Sequence, residues 1–429
     1  MREWRNRLWP PHGKFALPTR PREVLLKLAA QDMAGRRNTG PAVLVYKDRL
    51  LPSSQTFVRA QAEALERFTP YYVGARFVPG GLPLPQDRSF ILNRGSFPGK
   101  VREAVFRLAG TAPGLVRKLR QLNPVLVHAH FGPDGLNGLA LARTLDVPLV
   151  VTHHGYDATV KPEFPVSLAH KRYLHRKHLL QRGGQLFLAV SKFIRDQLVD
   201  QGFPEDRVRV HYVGVDTNIF RPPAGVVREP VVLFVGRLVE NKGCALLVRA
   251  MAKVRQQCPQ ARLVVIGDGP LRPELEAEAV RSLPGCSFLG QQPQLTVREW
   301  MGRASVLCVP CVTARNGASE AFGLVFIEAQ AMGLPAVSFA NGGVREAVAD
   351  GVTGFLAPEL DVDHLAASLV RLLSEPELWR RFSEAGVERV RSRFNLSQQS
   401  CELEKLYDHV LAQFGNHRCL AACAAPVST

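Results

Sequence analysis

Two doubly wound α/β domains of similar size are the fold class this sequence predicts, on three observations. Short unbroken apolar segments alternate with helical patterns from residue 42 onward. Adjacent prolines, Pro222 and Pro223, interrupt that alternation near the middle of the 429 residues. The alternation then restarts and runs to residue 358. Unbroken apolar strands separated by helices indicate parallel sheets covered on both faces. Tandem prolines remove donors and fix φ, as a linker requires.

The elements follow in order. Residues 1–39 carry the chain's basic start, with nine Lys or Arg against three acids in the first 38 and no apolar centre of a secretory signal. They read as a disordered extension. The first domain, 40–222, has strand-like "AVLVY" (42–46), a helical pattern over 55–68, and strand-like "VLVHAH" (125–130), "PLVVTHHG" (148–155) and "LFLAVS" (186–191). The second, 223–395, has "VVLFVG" (231–236), "RLVVIG" (262–267), "CSFLG" (286–290), "SVLCVP" (305–310), "PAVSF" (335–339) and "GFLAP" (354–358). Past residue 374 the pattern is helical. Ser374 with Glu377 reads as a capping box. After Asn395 comes a second helix, and residues 396–429 form a C-terminal helix and tail. Leu403, Leu406, Tyr407, Val410, Leu411 and Phe414 recur at helical spacing. That stripe must cover an apolar surface, and the first domain is the expected one.

Composition narrows the function classes. Hydrophobic residues at 46% and charged residues at 22% are an ordinary globular mix. The 55 Lys and Arg against 38 Asp and Glu give +17, which favours phosphates, acidic lipid headgroups or nucleic acid as partners. No run of 18 apolar residues predicts a transmembrane helix. Eight scattered cysteines do not make a disulfide framework. Cys308 and Cys311 form a C-x2-C inside apolar "SVLCVPC" with no second pair to complete a zinc site, so buried reduced thiols are expected. This suits a cytoplasmic protein.

Ligands of doubly wound sheets bind beyond the carboxyl ends of strands, so the motifs of interest follow strands. "FVGRLVENKG" (234–243) places Arg237 and Lys242 in a loop and at the start of a helix. Cations there oppose the helix dipole unless an anion binds, where amides and Arg together hold phosphate. The alternative is two solvated cations. "VIGDGPLR" (265–272) has a G-x-G, but Arg272 stands where a dinucleotide fingerprint has its third glycine, so a tight turn explains it. No G-x4-G-K-[ST] occurs, which argues against a P-loop ATPase. "SEAFGLVFIEAQAMG" (319–333) reads as a helix from Gly323 to Met332, with Glu320 ahead of it and Glu328 on it. Glu320 could serve as a cap. A carboxylate inside an apolar helix costs free energy unless donors meet it, and sugar hydroxyls are suitable donors.

These blocks, with "EAFGLVFIEAQAMGLPAV" and "NGGVREAVADGVTGFLAP", resemble glycosyltransferase family 4, the retaining enzymes of the two-domain GT-B fold, over nearly all of residues 231–358. In the first domain, "LLPSSQTFVRAQ" (50–61), "VHAHFGPDG" (127–135) and "VTHHGYD" (151–157) resemble the bacterial exopolysaccharide enzymes of colanic-acid and amylovoran type. Gln55 stands where those carry an acid. The resemblance implies two Rossmann-like domains facing a cleft. It implies Glu328 on the ribose of a UDP- or GDP-sugar, Glu320 on the donor sugar, and the amides of Phe322, Gly323 and Leu324 on sugar and phosphate. Arg237 and Lys242 would neutralise the diphosphate, Gly236 and Gly269 would lie on the nucleotide side, and His154 would reach the sugar from the other domain. His153 is left to a polar strand end. Ser54 and His130 would lie on the acceptor side.

The chemistry fits those residue types. Negative charge on a departing diphosphate is met by Arg237, Lys242 and helix amides in place of a metal. No carboxylate pair is placed for double displacement, so front-face attack with retention is expected. "DVD" (361–363) reads as a helix cap, and no metal or resident cofactor is assigned. "HKRYLHRKHLLQR" (170–182) puts Lys171, His175, His178 and Arg182 on one face: a solvated basic face first, an anionic membrane serving a lipid-linked acceptor second, nucleic acid a poor third. The reading is a hexosyltransferase acting on a carbohydrate or lipid-linked acceptor for the cell envelope or exopolysaccharide. The competing classes are a phosphorylase or hydrolase on the same fold and a non-catalytic nucleotide-sugar-binding module.

Overall fold

The computed structural model describes residues 40–423 apart from Ser53 and Thr111. The basic extension expected over 1–39 lies outside the described residues. The first sheet contains β1 (Ala42–Tyr46), β2 (Thr69–Arg76), β3 (Ser89–Asn93), β4 (Leu126–His130), β5 (Leu149–His153), β6 (Leu186–Ala189) and β7 (Val208–Val210). Its order is β3-β2-β1-β4-β5-β6-β7, parallel throughout. The second contains β8 (Glu229–Val235), β9 (Arg262–Ile266), β10 (Ser287–Phe288), β11 (Ala304–Cys308), β12 (Ala336–Phe339) and β13 (Gly354–Ala357). Its order is β10-β9-β8-β11-β12-β13, also parallel.

In each sheet the chain builds outward on one side of the first strand and then returns to build on the other. The reversal falls between β1 and β4 in the first sheet and between β8 and β11 in the second. Crevices at carboxyl ends open at such points. Lys47 follows β1 and His130 ends β4; Arg237 follows β8 and Cys311 follows β11.

Side-chain alternation assigns the two faces of the first sheet. Leu44 and Tyr46 join a core with Phe106, Leu119, Leu139 and Leu180 from helices. Val43 faces the opposite way and packs with Leu126, Val150, Leu188 and the C-terminal helix residues Leu403, Tyr407 and Val410. That helix, Leu396–Cys423, therefore does return to the first domain. Each such side chain contributes about 1.5–3 kcal/mol by burial. The Glu404 carboxylate fixes the docking by accepting from the Glu66 and Arg67 amides at 2.8 and 2.7 Å.

Three strands escape the pattern read from sequence. β3 and β7 are edge strands whose partly exposed residues lack an unbroken apolar run, and β2 contains Pro70 and Gly74. The capping box at Ser374 is a correction. The helix Val362–Ser374 runs through Ser374, because Leu365, Leu369 and Leu372 keep burying to its end. The next helix starts at Pro376, and Glu377 pairs with Arg380 at the surface.

The sheets are joined where 211–228 leaves the first and 394–396 returns. Val215 N donates to Phe394 O at 2.8 Å, and Leu396 N to Val215 O at 3.0 Å. Tyr212, Phe322 and Phe394 pack edge to face there, with centroids 5.3–5.5 Å apart.

Candidate active site

On the second domain, β8 ends at Val235 and the chain turns through Gly236 into a 3-10 turn, Glu240–Lys242, before the helix Cys244–Gln257. Gly243 sits at φ +65°, and a Cβ there would lie 1.9 Å from Pro310 O, so a larger residue would push Lys242 off the end of β11. Lys242 Nζ forms an ion pair with Glu320 Oε2. Burial pulls the ammonium down, but Glu320 outweighs it and Lys242 stays charged. Arg237 is exposed one turn away, lowers the Lys242 affinity for protons by repulsion, and pairs with no carboxylate among the described residues.

Glu320 is held at several points. Its amide donates to Asn341 Oδ1 at 3.2 Å, its carbonyl accepts from Gly343 N at 2.8 Å, and Cys311 Sγ donates to its carboxylate at 3.7 Å. Asn341 is itself fixed by Thr313 Oγ1 at 2.9 Å and Glu359 Oε2 at 3.0 Å. The helix Leu324–Ala331 follows, entered through Gly323 at φ +87°. Among the described residues the amides of Phe322, Gly323, Leu324 and Val325 meet no protein acceptor. They form a row of donors at the positive end of an eight-residue helix. Glu328 lies on that helix, its carboxyl has no hydrogen-bonding partner among the described residues, and desolvation pushes it up to about 8. At neutral pH the carboxyl is therefore mostly protonated. Gly269 approaches Leu238 O so closely that a Cβ would lie 2.4 Å away, which brings the two strand-end loops together.

The first domain brings histidines to this loop. A Cβ on Gly155, next to His154, would touch the Ala321 Cβ at 3.0 Å, and Ser191 Oγ donates to Ala321 O at 2.6 Å. The turns carrying His154 and Glu320 thus meet at the junction. His154 Nε2 lies 3.0 Å from His130 Nδ1, and the two rings stack at 5.3 Å. His130 stacks in turn on His128 at 4.4 Å, whose ring nitrogens meet Tyr407 Oη and Thr152 Oγ1 at 2.6 and 2.7 Å. Burial pushes His128 and His154 down to about 3 and His130 well below its usual value, so all three rings are neutral. Asp157 folds the turn after β5 by accepting from Gly132 N, Gly155 N and the His153 ring at 2.8, 3.0 and 2.8 Å. Burial raises its pKa, but His153 and the amides outweigh that and hold it at about 2. Ser54 is exposed in the turn before the helix Thr56–Glu63, whose Phe57 ring packs 4.9 Å from His154.

The structure therefore gathers Glu320, Lys242, Phe322, Gly323, Leu324 and His154 at one junction, with His130 behind His154. Arg237, Gly236, Gly269 and Glu328 line the second domain's side, and Ser54 lies on the first domain's side. Several residues at the site carried no readable signal. Cys311, read as a plain buried thiol, touches the Glu320 carboxylate. Asn341, Thr313 and Glu359 support Glu320 from distant positions. Lys47 and Asp134 form a buried ion pair beside the Phe131 ring, with the Lys47 ammonium 4.6 Å from its centroid. Burial pushes Asp134 up to about 6. The order reversal between β1 and β4, visible only in the folded sheet, is what draws Lys47 to the site. Asp361 of "DVD" caps its helix by accepting from His364 N at 2.9 Å.

Comparison with known proteins places this arrangement. Residues 54–219 match Glycosyltransferase Family 4, and residues 216–389 match Glycosyl transferases group 1. The D-inositol 3-phosphate glycosyltransferase of Segniliparus rotundus is 30% identical over 409 residues, covering 88% of both chains. The chain is a family 4 glycosyltransferase. AmsK, the amylovoran biosynthesis glycosyltransferase of Erwinia amylovora, is 31% identical over 251 residues, 57% of this glycosyltransferase and 60% of AmsK. This glycosyltransferase spans about two thirds or less of some curated relatives' lengths, AmsK among them. The crystal structure of Anabaena HepE with UDP and glucose superposes with a TM-score of 0.68 at 21% identity, over 86% of this chain and 100% of that one. The glycosyltransferase has the GT-B fold.

Proposed function

We propose that the protein is a retaining, metal-independent hexosyltransferase. It moves a hexose from a UDP- or GDP-sugar to an acceptor hydroxyl in cell-envelope or exopolysaccharide biosynthesis. The observation that carries this reading is the Lys242–Glu320 pair set against a row of free amides, with unpartnered Glu328 on the same helix. A diphosphate supplies the acceptors those amides lack, and a ribose diol supplies donors to Glu328. The ligands of HepE and the names of AmsK and the colanic-acid relative support the donor and pathway class.

In the reaction, the bond between the anomeric carbon and the diphosphate oxygen breaks, and its electron pair leaves with the diphosphate. Lys242, Arg237 and the amides of 322–325 stabilise that charge. Glu320 gives up part of its hold on Lys242 to grip sugar hydroxyls. Neutral His154 offers a hydrogen bond to the sugar from the opposite domain. The acceptor oxygen bonds the anomeric carbon on the face the diphosphate leaves, and its proton passes to a leaving phosphate oxygen. Retention by front-face attack is the reading that needs no covalent intermediate on a carboxylate.

The relatives called D-inositol 3-phosphate glycosyltransferase favour a second acceptor reading, a small phosphorylated polyol. The test is a thermal-shift panel of UDP- and GDP-sugars, followed by transfer assays with lipid-linked sugar and with inositol phosphate. Product anomers are read by NMR. Stabilisation by one nucleotide sugar and a product of unchanged anomeric configuration are expected. An inverted product, or release of free hexose whatever acceptor is added, would overturn the reading.

A further inference from the structure

We infer that the rim of the first sheet bears a docking surface for an anionic lipid bilayer, built on the helix Phe97–Ala109 and the start of the helix Leu168–Gly183. The first helix crosses the carboxyl ends of three strands. Its Gly99 approaches Asn93 at the end of β3, Glu103 pairs with Arg76 at the end of β2, and Arg107 pairs with Asp48 just after β1. Its carboxyl end meets the second helix, where Arg172 Nη1 donates to Arg107 O at 2.8 Å. Both helices therefore lie along the rim on which His130 and His154 open.

The outward residues are of the wrong kind for water. Phe97, Val101 and Val105 repeat every four residues, and Phe97 is 79% exposed. Leu168, one turn before Arg172, is 86% exposed, and Phe164 and Val166 ahead of it are also exposed. Scattered exposed apolar residues need no explanation, but a row along one rim does. Exposed Arg94, Lys100, Arg102, Lys171 and Arg176 surround the row. The one acid on the first helix, Glu103, is buried against Arg76 and Arg107, and the second helix has none. Apolar side chains flanked by these cations, with the exposed acid Glu163 only beside Phe164, match the acyl boundary and headgroups of an anionic membrane. A second copy of the chain would set cations against cations. No described helix is long and apolar enough to cross a membrane, so contact would be made from the surface. The rim position would let a lipid-linked acceptor reach His154 while its lipid stays in the bilayer. That last step rests on the proposed acceptor class, but the surface itself does not.

The test is sedimentation of the full chain with vesicles of phosphatidylglycerol and phosphatidylethanolamine, and with phosphatidylcholine alone. The wild type is compared with the triple variant F97S/V101S/L168S, which leaves every charge in place. The expected result is binding to the anionic vesicles only, with partitioning on the order of tenfold weaker in the triple variant. Equal partitioning of the two proteins would overturn the inference, as would no binding at low salt. A concentration-dependent dimer lost in the triple variant, without vesicle binding, would assign the surface to a second copy instead. The UDP-induced thermal shift is measured in parallel. Its persistence in the triple variant separates failure of the surface from failure of the donor site.

Discussion

Lys242 and Glu320 are each costly to bury alone, and each makes the other tolerable. Their pairing keeps Lys242 charged and fixes it at the place where a diphosphate would depart. Lys242→Ala and Glu320→Ala should each reduce transfer by about 100- to 1000-fold, with unchanged circular dichroism; near-normal initial rates in both would remove the mechanism. Glu328 behaves oppositely. Its folded pKa, about 8, lies above the ordinary value, so folding favours its protonated form. That stability is full below pH 4.5 and is lost progressively as pH rises to about 8. Glu328→Gln should therefore raise the Tm of the free protein at pH 8, leave it little changed near pH 4.5, and weaken donor binding. An equal Tm at pH 8 would show that the carboxyl is solvated. His130 lies behind His154, and because one of the two facing nitrogens must donate to the other, their tautomers are coupled. His130→Leu should lower kcat while leaving donor affinity within about twofold, the pattern of a lost transition-state contact.

At the scale of elements, two carboxylates bind backbone amides across long sequence distances. Glu346, on the short helix Val344–Ala347, accepts from the amides of Lys192 and Phe193 at 2.9 and 3.1 Å and from Tyr212 Oη at 2.8 Å. It thus binds the start of the helix Lys192–Asp200 in the other domain, where the dipole favours an anion. Glu346→Ala should release the domains from one another. The expected readout is a larger radius of gyration by X-ray scattering and a raised donor KM. Glu404 on the C-terminal helix ties that helix to the bend at Glu66 and Arg67. Its loss should cost about 1.5–3 kcal/mol, the range for hydrogen bonds to a charged group, measured by denaturant unfolding.

For the whole molecule, the two order reversals point at one junction, and the chain crosses between sheets in two adjacent segments, near Val215 and Asn395. In the proposed reading the second domain holds the nucleotide sugar and His154 meets the sugar from the first, so closure itself would complete the site and exclude water. In the proposed reaction the phosphate charge would be met by Lys242, Arg237 and amides. Transfer should accordingly persist in EDTA, and loss of turnover restored by Mg2+ would contradict this.

The chain's own pattern settled the fold class, the position of strands buried on both faces, and the candidate residues at strand ends. These are legible because strand burial writes an apolar run and because carboxyl-end loops follow it directly. The stripe from Leu403 to Val410 likewise announced a buried face. Edge strands β3 and β7 were not legible, since a half-exposed strand leaves no unbroken run. The termination at Ser374 was not either, because a helix ends where its buried face ends, not at the first good cap. Tertiary structure alone decided that Lys242 pairs with Glu320, that Cys311 and Asn341 hold the same glutamate, and that Tyr407 reaches His128 from 279 residues away. Hydrogen bonds and ion pairs depend on separation in space, and a linear pattern records only separation along the chain.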